Sequence, residues 1–261
     1  LYAFKVMAMG FTNAPATFQR LMSRVLRPCE DFAMVYLDDI IIFSESLADH
    51  RRHLETVFRR LREAGLKVMP YKCVFGTQEV IFLGHLVDSR GIHPDPAKIH
   101  CIQQLASPRN LKELRSLLGL MSYYRKFVHH LADLARPLHE LLRKEAEWDW
   151  TTDCQLAFEA LRDKLMSAPI LARPDFTKEF VLQTDFSNYA VSAICSQRDG
   201  GGEHPIGYAS RVLTPAEKNY PPIEGELLAA LFGITTFRHL LHNRHFVLQS
   251  DQSSLRWLLT T

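Results

Sequence analysis

Residues Ala33-Met34-Val35-Tyr36-Leu37-Asp38-Asp39-Ile40-Ile41-Ile42-Phe43 place two adjacent carboxylates between five apolar side chains and four more. A run this short, β-branched and interrupted at its centre predicts the two strands of a hairpin with the acids at the bend. Nothing in the run offers those acids a cation. Two carboxylates fixed side by side on a rigid hairpin repel, and they are costly unless positive charge faces them. A hard divalent ion that keeps several waters, such as Mg2+, relieves that cost and also binds substrate phosphates. An Asp-Asp turn joining two buried strands is the equal alternative on this segment alone.

The neighbours change that balance. Tyr36-Leu37-Asp38-Asp39 resembles the Tyr-x-Asp-Asp box of reverse transcriptases. Gly10-Phe11-Thr12-Asn13-Ala14-Pro15-Ala16-Thr17-Phe18-Gln19 resembles the segment preceding that box in retrotransposons of the Ty3/gypsy type. Phe82-Leu83-Gly84-His85-Leu86 follows at the expected interval and is similar to that family's primer-grip hairpin. Three motifs in one order are far more specific than any one of them. The resemblance implies an α+β fold: a polymerase palm of antiparallel sheet and helices, a helical thumb, then an α/β ribonuclease H-like domain. It also implies an RNA-directed DNA polymerase with hybrid-cleaving ribonuclease H activity, dependent on Mg2+ or Mn2+. The implied partners are an RNA template, a DNA primer, an RNA–DNA hybrid and deoxynucleoside triphosphates.

Composition fits this expectation without producing it. The chain has 261 residues, enough for two domains with cores, and 47% are hydrophobic. No apolar run approaches the roughly 18–20 residues of a membrane span, so no membrane partner is expected. Cys29, Cys73, Cys101, Cys154 and Cys195 are scattered with no Cys-x-x-Cys, which points to an intracellular, reducing compartment and neither a disulfide framework nor a zinc site. The net charge is only +2, yet residues 51–72 carry seven Lys/Arg against two Glu, and residues 98–144 carry nine against three acids. Such local excess suits a phosphate-binding surface, and equally two solvated helix faces. The abrupt start at Leu1 and stop at Thr261 set the expectation of an internal piece of a longer polyprotein. By resemblance, a further polymerase aspartate would precede the one end and a fourth ribonuclease acid would follow the other.

In order, 1–9 reads as a strand, Gly10 to Thr12 as a turn, and Asn13 as the N-cap of a helix with Pro15 in its first turn. Phe18, Leu21, Met22, Val25 and Leu26 form its apolar stripe, and Pro28 closes it. The resemblance makes Gly10, Asn13, Pro15 and Gln19 substrate-side residues, joined by Tyr36, Leu83 and Gly84. A well-capped packing helix explains Asn13 and Pro15 as well. Ser46 and Asp49 predict the capped start of a helix with stripe Leu47, Leu54, Val57, Phe58 and Leu61, ended by Gly65. Strands are expected at 73–76 and 80–87. Gly84 within a strand signals a bulge or a close backbone approach. Lys72 stands where related polymerases place a lysine proposed to protonate leaving pyrophosphate, which makes it a candidate general acid; an ordinary surface lysine is the alternative. From Gly91 the texture is helical, at 95–105 and 110–120. Tyr123-Tyr124-Arg125-Lys126-Phe127 then interleaves aromatic and basic side chains that can pack on a sugar-phosphate backbone. This region is similar to the thumb of gypsy-type enzymes, with Arg125 and Lys126 as template-primer contacts; a helical bundle with an aromatic edge is the competing account.

A helix at 153–167 and then Pro169 and Pro174 mark a boundary. The domain reading is palm 1–90, thumb 91–147, linking helix 148–174 and ribonuclease H-like domain 175–261. Beyond Pro174, strands are expected at 180–185, 189–197 and 204–210, with a glycine-rich loop 198–203 between the last two. A long helix at 223–241, a fourth strand at 246–251 and a helix start from Ser253 follow. That order resembles the ribonuclease H fold. Asp185, Glu226 and Asp251 fall where that fold would use them as metal-binding acids, alongside Asp38 and Asp39 at the polymerase centre. Glu224 is the near competitor of Glu226, pointing about 160° away around a helix. Met7-Ala8-Met9-Gly10 departs from the family's usual Met-Pro-Phe-Gly, and Phe186 and Ser192 stand where it usually has small residues. On these residues the competing expectation is a relic that binds nucleic acid without catalysis.

Overall fold

The structure is a computed structural model that describes residues 6–7, 10–144 and 146–251. The strand expected at 1–9 falls largely outside them, and the helix start from Ser253 wholly so. The chain forms two compact units, Leu1–Leu83 and Gly84–Thr261. Among the described residues no helix is long and apolar enough to cross a membrane.

In the first unit α1 (Ala14–Leu26) begins after Asn13 with Pro15 in its first turn, where a missing N–H costs nothing. Asn13 holds the N-cap position, but its side chain makes no capping bond. Met22 and Leu26 are buried; Leu21, expected on the same stripe, is exposed. Strands β1 (Ala33–Tyr36) and β2 (Asp39–Ile42) pair antiparallel in the register Ala33↔Ile42 and Tyr36↔Asp39. Period-two alternation sends Ala33, Val35, Ile40 and Ile42 toward α1 and α2 (Leu47–Glu63), where they join Met22, Leu26, Val57 and Leu61. Ser46 caps α2 by accepting from the Asp49 N–H at 3.1 Å and donating to its carboxylate at 2.6 Å. The buried stripe is narrower than the sequence suggests, because Leu47 and Phe58 are exposed. Gly65, at φ +70°, ends the helix. The strand expected at 73–76 is absent: Pro70 opens a 3-10 turn through Lys72, and Gly76 at φ +63° redirects the chain. Strand β3 (Val80–Phe82) follows.

The second unit opens with an antiparallel pair, β4 (His85–Val87) and β5 (Ile92–Pro94), whose turn is closed by Asp88 accepting from the Arg90 and Gly91 N–H groups. The single strand expected over 80–87 is therefore two short ones, because Leu83 and Gly84 both take positive φ and reverse the chain. Helices α3 (Pro96–Gln103), α4 (Leu111–Tyr123), α5 (Leu131–Leu134), α6 (Arg136–Glu140) and α7 (Thr152–Met166) surround one core that includes Leu114, Met121, Phe127, Leu138, Phe158 and Leu161. Asp95, Asn110 and Thr151 cap α3, α4 and α7 through their side-chain oxygens.

Strands β6 (Phe180–Phe186), β7 (Ala190–Asp199) and β8 (Gly202–Val212) form an antiparallel meander. Gly200 and Gly201 alone join β7 to β8, so the expected loop 198–203 shrinks to a two-residue turn. Helix α8 (Pro222–Thr236) crosses the sheet and α9 (Arg238–Leu241) follows a break at Phe237, where one helix over 223–241 was expected. The β-branched run Ile234-Thr235-Thr236 weakens the helix there, and Phe237 buries itself against Gly207. Strand β9 (Phe246–Gln249) lies parallel to β6, giving the order β8-β7-β6-β9. Helix α8 packs on β6 and β7, and α5 packs on β8.

Leu161, fully buried in α7, and Leu156, exposed on the same helix, report on this packing. Leu161→Ala is expected to cost about 2–5 kcal/mol, and Leu156→Ala less than about 0.5 kcal/mol. Denaturant unfolding followed by circular dichroism measures both.

Candidate active sites

Asp185 lies near the end of β6, Glu226 in the first turns of α8, and Asp251 just beyond β9. The parallel register ends at Gln183↔Gln249, and Asp185 and Asp251 each lie two residues beyond that last pair, at one end of the β6–β9 ladder. Helix α8 brings Glu226 to that end because glycines let it approach closely. A Cβ on Gly233 would sit 3.1 Å from both Ala193 Cβ and Thr184 Cγ2, and one on Gly225 would sit 2.3 Å from the Phe186 ring. Phe186, larger than the residue expected at that position, is thus accommodated by Gly225. One carboxylate oxygen from each of Asp185, Glu226 and Asp251 lies within 4.8 Å of the others. Glu224, the competitor, is exposed, whereas Glu226 is only 5% exposed. Helical geometry separates the two.

Burial, followed by the charges of Asp251 and Asp185, pushes Glu226 up from the ordinary 4.5 to about 7; a hydrogen bond donated by Ser250 at 3.0 Å opposes the shift. Ser250 escaped the sequence reading, although its place beside Asp251 was a usable signal. Ser192, the cross-strand partner of Asp185, is buried and its hydroxyl has no hydrogen-bond partner among the described residues.

In the first unit Leu37 and Asp38 form the hairpin turn, with Leu37 at φ +54°, and Asp39 opens β2. Asp38 and Asp39 are exposed. Tyr36 and Asp39 are paired on the hairpin face that turns away from α1 and α2, and Tyr36 is exposed there. Gln19, expected to face substrate, instead ties α1 to this turn: its amide nitrogen donates to the Val35 carbonyl at 3.2 Å, and its amide oxygen accepts from the Leu37 N–H. Glutamine at that spacing carries no sequence signal for such a role.

Gly10, at φ +87°, together with Asn13 and Pro15, is exposed at the start of α1. Lys72 is exposed in its 3-10 turn and makes no hydrogen bond or ion pair with Asp38 or Asp39 among the described residues. Leu83 and Gly84 form a turn where a bulge within a strand was expected. The close approach is real for Gly84: a Cβ there would meet the Tyr123 hydroxyl at 2.6 Å, and its carbonyl accepts from the Tyr124 hydroxyl at 3.0 Å. Of the aromatic and basic run, Tyr124 and Phe127 are buried in the core, so only Tyr123 and Arg125 face outward in full. Lys126 lies over the Phe127 ring at 5.3 Å, and burial lowers its pKa. Hydrophobic burial outweighs a surface role for these rings.

Residues 1–87 match the family described as reverse transcriptase (RNA-dependent DNA polymerase), and residues 150–248 match the RNase H-like domain found in reverse transcriptase. The chain is 46% identical over 260 residues to the retrovirus-related Pol polyprotein from transposon 297 of Drosophila melanogaster, covering 98% of this chain and 24% of that one. It is 35% identical over 245 residues to the transposon Tf2-3 polyprotein of Schizosaccharomyces pombe, covering 93% of this chain and 18% of that one. It thus spans about a quarter or less of the length of these relatives. A solved structure of the foamy viral protease-reverse transcriptase in complex with RNA/DNA hybrid superposes with a TM-score of 0.83 at 30% identity, over 98% of this chain and 35% of that one. The same enzyme's dRH form in complex with double-stranded DNA gives 0.84 at 30% identity, over 97% and 44%.

Two outcomes follow from these geometries. Because folding raises the pKa of Glu226, the native state holds its proton more tightly than the unfolded chain does. Its contribution to stability is therefore intact below about 4.5 and is lost as pH rises toward about 7. In EDTA, Glu226→Gln is expected to flatten this fall and to raise Tm at pH 8, as read by differential scanning calorimetry. Gln19→Leu leaves the Leu37 N–H and the Val35 carbonyl without their partner, and is expected to destabilise by about 1–3 kcal/mol in urea titrations.

Proposed function

Because the chain belongs to the reverse-transcriptase family of Ty3/gypsy-type retrotransposon Pol polyproteins, we propose that it joins a DNA-polymerising centre at Asp38 and Asp39 to a hybrid-cleaving centre at Asp185, Glu226 and Asp251. The observation that carries this reading is the convergence of three carboxylates from three separate elements to within 4.8 Å. Such a gathering must overcome the mutual repulsion of the three acids. In this reading residues 1–90 are the polymerase palm, 91–147 the thumb, 148–174 a linking helix and 175–261 the ribonuclease H-like domain. The substrates are an RNA template, a DNA primer, deoxynucleoside triphosphates and the RNA–DNA hybrid that synthesis leaves behind. The scattered cysteines of the sequence are the ground for placing it in a reducing, intracellular setting.

The residues present fit a hard divalent cation. The ligand atoms are all carboxylate oxygens, one of them on a glutamate whose burial resists ionisation without a counter-charge. Mg2+ or Mn2+ bound by Asp185, Glu226 and Asp251 would supply Lewis-acid activation of water and stabilise a leaving 3′ oxygen. Ser250 fixes Glu226 by donating to one of its oxygens. At the other centre Asp38 and Asp39 would hold the cations of a phosphoryl transfer. Gln19 locks the turn that presents them, and Tyr36 offers an exposed ring beside Asp39. By the family resemblance Gly10, Asn13 and Pro15 would serve the nucleotide, Leu83 and Gly84 the primer, Arg125 and Lys126 the duplex, and Lys72 would donate a proton to pyrophosphate.

The test is cleavage of a labelled RNA–DNA hybrid and extension of a primer on RNA, each with and without Mg2+, by the parent polyprotein's enzyme carrying single substitutions. Asp185→Asn is expected to lower cleavage by about 100-fold or more while primer extension persists, and Asp38→Asn to do the reverse. Cleavage unchanged in Asp185→Asn refutes the assignment, and hybrid binding without cleavage in the unsubstituted enzyme marks a binding relic.

A further inference from the structure

His130 precedes α5 in the left-handed conformation, φ 54° and ψ 32°, which a side chain other than glycine adopts rarely. Such a backbone persists only where surrounding contacts hold it, and here they do. The Ala132 N–H donates to Ser210 Oγ of β8 at 3.0 Å, pinning the turn to the sheet. Ser187, two residues beyond Asp185, donates to Asp133 Oδ1 at 2.6 Å. The His130 ring lies on that of His129 at 3.6 Å between centroids, and His129 in turn packs beside Tyr208.

So held, His130 Nδ1 lies 3.7 Å from Asp185 Oδ2 and 3.9 Å from Asp133 Oδ2. Both separations are ion-pair distances rather than hydrogen bonds. Asp185 is the nearer of the two acids, and Asp133 is already turned toward Ser187 through its other oxygen. We infer that His130 is a positioning residue for the carboxylate centre, orienting Asp185 from a helical segment outside the 150–248 match to the RNase H-like domain. The inference rests on the reading of Asp185, Glu226 and Asp251 as cation ligands. Ligating carboxylates are commonly oriented by such outer partners.

The experiment uses the full chain with Asp38→Asn and Asp39→Asn, so that the second centre alone is measured. Mn2+ binding is followed by the electron paramagnetic resonance signal of the free ion, and Tm is recorded without divalent cation. His130→Gly suits the left-handed backbone while removing the imidazole, so Tm is expected to hold or rise. Mn2+ affinity is expected to fall about 10-fold. His130→Asn, which tolerates the same backbone and keeps a side-chain N–H, is expected to retain more affinity than the glycine variant. Affinity unchanged in His130→Gly while Asp185→Asn abolishes binding overturns this inference alone. Binding that survives Asp185→Asn overturns the cation-centre reading and this inference with it. A fall in Tm for both His130 variants assigns the residue to packing and overturns it as well.

Discussion

Mutual repulsion among carboxylates is the constraint around which the second unit is built. Asp185, Glu226 and Asp251 stand close together at a partly buried place, and burial first, then the charges of Asp251 and Asp185, keeps the proton on Glu226 to about pH 7. The fold keeps them there by backbone means: a parallel β6–β9 register that aligns two of them, and an α8 brought down onto the sheet at Gly225 and Gly233. Neither device involves the acids themselves. The protein thus holds an unfavourable charge arrangement on a rigid frame.

The first unit solves a related problem with less burial. Asp38 and Asp39 share a hairpin turn but remain in water, where their repulsion is screened. What needs support there is the left-handed Leu37, and Gln19 supplies it by bonding to backbone on both sides of Tyr36. One amide side chain thereby connects the middle of α1 to the geometry of the acid pair. In the second unit the corresponding work is spread over Ser250, Ser187 and the turn before α5.

Much of this was legible in the chain itself. Helix starts at Ser46, Asp95 and Asn110 carry polar caps whose bonds are made within three residues, signals that depend on neighbouring positions alone. The errors fall where two local tendencies compete. Residues 73–76 have strand-forming side chains but stand between Pro70 and a left-handed Gly76. The glycines at 200 and 201 permit a tighter turn than their number suggests. Tyr124 and Phe127, placed among cations in the sequence, gain more from burial than from a surface role.

The sequence by itself determined the order of elements, the Asp-Asp hairpin and the acids worth watching, because caps, alternation and turn residues act over a few neighbouring positions. Only the tertiary structure decided how those acids meet. Gln183 and Gln249 pair across 66 residues, and that distant register, with the docking of α8, chooses Glu226 over Glu224. Tertiary structure likewise assigned Gln19 to the backbone and brought His130 beside Asp185. Long-range registers are set by the packing of whole faces, and no window of local sequence contains that information.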